Sequence, residues 1–128
     1  MEAKELMIGD KVMVKVLSQI PGTYVLHTWT ANDYSRDIKV KPIPLTAEIL
    51  EKDGWERDID KEWEYNNSHI LPHYCYQWEK RNVKIEMYAG LEGFTISLII
   101  GRRFYAVHEL QHVLRLYGLD ELADNFKI

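Results

Sequence analysis

The chain has 128 residues, 46 % of them hydrophobic and 28 % charged, with a formal net charge of −4 at pH 7. That length allows one hydrophobic core of ordinary size, and that balance excludes the low-hydrophobicity, high-charge composition of disordered chains. The acidic balance argues against a domain whose main partner is nucleic acid, and no apolar run approaches the roughly 20 residues of a membrane-spanning helix.

Met1 to Met7 is acidic and runs straight into a strand pattern, without the basic start and apolar stretch of a secretory signal. The expectation is a cytoplasmic protein. A lone cysteine, Cys75, agrees with that compartment because it leaves no internal disulfide and no four-cysteine metal site; it reads as a small buried residue. Gly9-Asp10 supplies a turn, and Lys11 to Val16 then alternates, with Val12, Val14 and Val16 on one side and Lys11, Met13 and Lys15 on the other. Pro21-Gly22 marks a reversal, Thr23 to Thr30 reads as the hairpin partner, Asn32-Asp33 ends it, and Asp37 to Val40 forms a third short strand. Pro42 and Pro44 take the chain out of that sheet.

Thr46 is the N-cap of a short central helix that Gly54 closes, with Glu48 and Glu51 on its outer side. Trp55 to His73 reads as a strand and then a loop containing Asn66-Asn67-Ser68. Three alternating segments follow, Tyr74 to Lys80, Val83 to Ala89 and Phe94 to Ile100, which predict an antiparallel meander. Beyond Gly101 the period changes: Val107, Leu110, Leu114 and Tyr117 keep helical spacing up to Gly118, and Asp120 to Asn125 makes a short final helix. The whole is expected to be one α+β domain over residues 1–128. It would hold a small N-terminal sheet or partial barrel, a C-terminal meander, a short central helix, an amphipathic C-terminal helix and a short last one.

One motif carries chemistry. His108-Glu109-Leu110-Gln111-His112 spells H-E-x-x-H, in which two imidazoles four apart on a helix bind zinc and the glutamate takes a proton from metal-bound water. Projected on a helix, however, His108, His112 and Arg115 fall opposite the apolar stripe, which reads as a solvated face. A third ligand is also hard to supply. Asp120, Glu121 and Asp124 are the only downstream candidates, and the longer zinc motif would require glycine at Arg115 and histidine at Gly118. His69 and His73 share the four-residue spacing, but Pro72 between them argues against a helix. No metal, cofactor or catalytic residue is therefore assigned; His108 and His112 as ligands, with Glu109 as base, stand as the alternative.

Charge is uneven. Glu48 to Glu64 holds eight acidic residues against Lys52, Arg57 and Lys61, while basic residues gather at Arg36, Lys39 and Lys41, at Lys80, Arg81 and Lys84, and at Arg102 and Arg103. Scattered solvated charge is the plain reading. Tyr24, Trp29, Tyr34, Trp55, Trp63 and Tyr65 are the aromatics able to form a binding patch, unless the core takes them.

Three segments carry a resemblance: Glu5-Leu6 to Val12 around Ile8-Gly9-Asp10; Pro42-Ile43-Pro44-Leu45-Thr46 through Glu48, Leu50 and Gly54; and Val107-His108 with Leu110-Gln111 before Gly118 and Glu121-Leu122. Together they resemble a family of small uncharacterised proteins of gut anaerobes and their phages or mobile elements. In that family the helix often reads V-H-x-L-Q-N, so the resemblance implies that Glu109 and His112 are not its defining residues. It carries over no reaction, ligand or catalytic residue, and it implies an accessory or adaptor role. The expectation is a non-enzymatic binding protein with a protein partner and no membrane partner. A zinc hydrolase and a single-stranded nucleic-acid binding module are the alternatives.

Overall fold

The computed structural model describes residues 1–16, 23–59, 63, 74–80, 83–90, 93–96 and 103–128. They form two compact units, the first from Met1–Leu45 and Ala106–Phe126, the second from Thr46–Tyr105 with Lys127–Ile128. Each contains an antiparallel sheet, and α-helices accompany the sheets among the described residues, so the fold is α+β as expected. Unit 2 is thus an excursion between two segments of unit 1. Where the chain leaves and re-enters unit 1, Pro44 bridges Ala106 and the Val107 N–H donates to the Ile43 carbonyl at 2.9 Å.

In unit 1, β1 (Lys11–Val16) lies between β2 (Val25–Thr28) and β3 (Ile38–Lys41), all antiparallel. Val12 and Val14 point inward and pack with Leu6 and Trp29, and Ala3, Ile38 and Val40 close over them. Register follows the pleat: Val14 faces Val25 on one side and Val40 on the other, and Lys15 faces Lys39.

A five-residue 3-10 turn (Ala31–Ser35) follows β2, where Asn32-Asp33 was expected to end the strand. Asp33 is buried within that turn. Its carboxylate accepts from the Thr30 N–H (2.7 Å) and hydroxyl (2.8 Å) and from Arg36 (2.9 Å), and it contacts His27 Nε2 at 2.6 Å. Burial alone would raise this carboxyl, but the hydrogen bonds from His27, Thr30 and Arg36 outweigh it and hold the group well below the usual carboxylate range.

Helix α2 (Val107–Leu116) buries Val107, Leu110, Val113 and Leu114, as their spacing requires, and the left-handed Gly118 (φ +76°) follows it. Tyr117, counted with that apolar stripe, is instead 41 % exposed, because it sits at the helix end. Helix α3 (Asp120–Asp124) packs back on α2 and buries Ala123.

Unit 2 opens with α1 (Ala47–Asp53). The Thr46 hydroxyl accepts from the Ile49 N–H at 3.2 Å, and Gly54 ends the helix in the left-handed region, as the sequence predicts. β4 (Glu56–Arg57), β5 (Tyr74–Lys80), β6 (Val83–Gly90) and β7 (Gly93–Ile96) form an antiparallel sheet in sequence order, which is the expected meander. The reversal at Pro21-Gly22, most of the 55–73 stretch and the continuation of the last strand to Ile100 lie outside the described residues. Cys75 is buried, as expected. No helix among the described residues is long and apolar enough to cross a membrane.

Gly54 has φ +104°, and a Cβ there would stand 3.1 Å from the Trp78 ring; Gly118 is also left-handed but has open space around it. Gly54→Ala should therefore cost about 2 kcal/mol and Gly118→Ala about 1 kcal/mol, read by chemical denaturation. Equal costs would show that the tryptophan contact contributes nothing.

Candidate functional site

The H-E-x-x-H helix is built as the sequence predicts, but its polar face is not solvated. His108 is only 7 % exposed and Gln111 fully buried, because the turn entering β1 lies against that face. Asp10, in that turn and wholly buried, is the centre of the arrangement. Its carboxylate contacts His112 Nε2 at 2.5 Å, accepts from Arg115 Nη1 at 2.6 Å and accepts from the Met7 N–H at 2.8 Å. Burial would raise this carboxyl, yet the hydrogen bonds from His112, Met7 and Arg115 prevail and lower it. Asp10 is therefore an ionised acceptor, and His112 Nε2 must carry the proton between them.

Gln111 continues the clamp. Its Oε1 accepts from the Lys11 N–H at 2.8 Å, while its Nε2 donates to the carbonyls of Gly9 and Ala123, each at 2.9 Å. One side chain thus ties β1, the preceding turn and α3 to α2. Arg115 adds a second bond, to Asp124 at 3.1 Å, so a carboxylate that stood as a candidate third zinc ligand has a cation of its own.

Glu109 serves the start of the helix: its carboxylate accepts from the Ala106 N–H at 3.1 Å, reaching back from the third helical position to the N-cap backbone. His108 and His112 do lie side by side, with ring centroids 5.5 Å apart and planes at 78°. The Nε2 of His112 is committed as a donor to Asp10, so a metal could be taken only by its Nδ1. Among the described residues, no group of three or more His, Cys, Asp or Glu side chains is placed to hold a metal ion. Burial pushes the His108 imidazole down, so its neutral form is favoured. His69 and His73 lie outside the described residues.

A second constellation appears on the sheet of unit 1. The register aligns the outward residues of all three strands: Lys11, Met13 and Lys15 on β1, Leu26 and Thr28 on β2, and Lys39 and Lys41 on β3. Two contacts mark this common side. Lys11 Nζ donates to the Thr28 hydroxyl at 2.6 Å, and Lys41 Nζ stands 4.4 Å from the centre of the Tyr24 ring. No strand residue on this face is acidic, and among the described residues none of the four lysines forms an ion pair.

The remaining candidates divide. Trp29 and Trp55 are core, Tyr34 and Trp63 are exposed, and Tyr65 lies outside the described residues. Of the basic clusters, Lys39 and Lys41 join the sheet face, whereas Arg36 turns to Asp33. Arg81 and Arg102 fall outside the described residues. Sequence reasoning placed Lys11 and Lys15 on one side of a strand but did not join them to Lys39 and Lys41, because only strand pairing does so. It also passed over Asp10 as a turn residue. Compared with known proteins, the chain matches no family model, no curated protein and no solved structure.

Asp10→Asn leaves the size of the side chain and removes the charge that faces Arg115 and His112, so it should destabilise the fold by about 3–5 kcal/mol. The pH dependence has two parts. Asp10 has a lowered folded value, so its contribution is complete above about pH 4 and is lost as pH falls through that lowered value. His108 is likewise lowered, so the unfolded chain takes up its proton first and stability declines as pH falls from about 6.5. Denaturation midpoints across pH 2–8 should show both limbs, with the acid one flattened in Asp10→Asn; an unchanged acid limb would remove Asp10 from its central place.

Proposed function

We propose that the chain is a small cytoplasmic, non-enzymatic binding protein of the accessory or adaptor type found in phages and mobile elements, acting through the outward face of its three-stranded sheet. The observation that carries this reading is the Lys15–Lys39 pair, two like charges directly opposite each other across β1 and β3. Like charges at opposed positions destabilise a sheet. On a face with four lysines and no strand carboxylate, that cost has no structural return, which is the mark of a surface kept for a ligand. The single thiol supports a reducing compartment, and the resemblance at the Ile8-Gly9-Asp10, Pro42–Thr46 and Val107–Gln111 segments supports the accessory role.

Lys15→Glu tests this directly, because it turns the repulsive pair into an attractive one. The thermal midpoint should rise by about 1–3 °C. A fall would mean that Lys15 supports the fold, and the reading would lose its main support.

The zinc hydrolase is the second reading, and the adjacency of His108 and His112 is what favours it. Elemental analysis of untagged protein beside His112→Ala decides between them. The binding protein should carry no stoichiometric zinc, whereas one zinc per chain that disappears in His112→Ala would put the hydrolase in its place.

A further inference from the structure

We infer that the ligand of this sheet face is single-stranded nucleic acid, held mainly through its phosphates and with little regard for base sequence. This rests on the reading of the face as a binding surface and adds the chemical class of what it binds.

Two features of the face select that class. The first is its charge. Lys11, Lys15, Lys39 and Lys41 stand on one side of one small sheet, without an ion pair among the described residues, in a chain whose overall charge is −4. A local concentration of positive charge against an acidic background confines a polyanion to this face. Lysine ammonium groups are point charges that suit phosphate from many directions.

The second feature is what lies between the lysines. Met13 and Leu26 sit directly opposite each other on β1 and β2, Leu26 is 49 % exposed, and the Tyr24 ring lies on the same side under the Lys41 ammonium. Apolar side chains and an aromatic ring offer surface to the flat faces of unpaired bases. A duplex hides those faces in its own stack, so it would set Met13 and Leu26 against phosphates. Lys41 over Tyr24 is a resting contact: a base that takes its place on the ring leaves the ammonium free to reach a phosphate. Overall net charge argued against a nucleic-acid partner, but it averages away what the strand register gathers.

The test is fluorescence anisotropy with a labelled twelve-nucleotide oligothymidylate and the matching oligouridylate, across a salt series. The oligonucleotides should bind with a log–log salt slope near −3, the value for about four phosphate contacts to a single strand. Lys15→Gln/Lys39→Gln should reduce the slope by about 1.4 and the affinity at least about tenfold. Lys4→Gln/Lys52→Gln, with the same change in net charge but off the face, should leave both within twofold. Tyr24→Leu should weaken the strand about tenfold, through loss of stacking. Absence of binding, equal loss in the off-face control, or tighter binding of a polyglutamate peptide or of duplex would each overturn the inference. So would salt-sensitive self-association through the acidic Glu48–Glu64 stretch of a second copy, seen by analytical ultracentrifugation. The stability test separates the two levels: if Lys15→Glu is stabilised while the unaltered protein ignores oligonucleotides, the nucleic acid is rejected and the binding surface is left standing.

Discussion

A carboxylate wholly removed from water is stable only where cations and N–H donors replace its hydration, and Asp10 meets that condition with Arg115, His112 and the Met7 N–H. Most of unit 1 is arranged around this requirement. The turn into β1 must sit against α2 to deliver the carboxylate, and α2 must turn its polar face inward to receive it. Gln111 then ties β1, the Gly9 carbonyl and the Ala123 carbonyl to the same helix. The first strand and the last two helices are therefore held by polar contacts spanning about a hundred residues of sequence, alongside the apolar cluster of Leu6, Val12, Val14 and Trp29.

The same device recurs on a smaller scale. Asp33 organises the 3-10 turn after β2 through Thr30, His27 and Arg36, and Asp53 closes the end of α1 by accepting from the Trp55 indole and the Lys127 N–H. In each case a buried aspartate fixes a place where regular structure ends and backbone donors would otherwise lack partners. This explains how a motif spelling H-E-x-x-H can be structural. Glu109 satisfies a backbone donor at the helix start, and His112 is one of the donors a buried charge needs.

With the helix face engaged inward, the outward side of the sheet in unit 1 carries four lysines without an ion pair among the described residues. Its lysines have no structural duty comparable to that of Arg115, and two of them oppose each other at a cost to the sheet. A surface that repels itself and a core held by paired charges are complementary uses of the same residue types.

Period and punctuation alone determined many of the elements, although neither 3-10 turn, Ala3–Glu5 or Ala31–Ser35, nor the helical state of Ile59 and Trp63 was among them. The alternation of Lys11–Val16, the Thr46 cap, the left-handed glycines at 54 and 118, the meander and the two final helices were all legible, because each depends on neighbours within a few residues. The burial of Cys75 was legible for a similar reason, since an unpaired thiol is a small apolar group. What local pattern could not determine was which faces meet. Helical projection set His108, His112 and Arg115 opposite the apolar stripe and so toward water, but the turn carrying Asp10 covers them, a contact between residues 102 apart in the case of His112. Likewise the four lysines become one surface only when β1 pairs with β3 in a register that sets Lys15 against Lys39. Both outcomes depend on long-range pairing, whose free energy lies in burial and charge compensation between distant segments, and only the tertiary structure decides those.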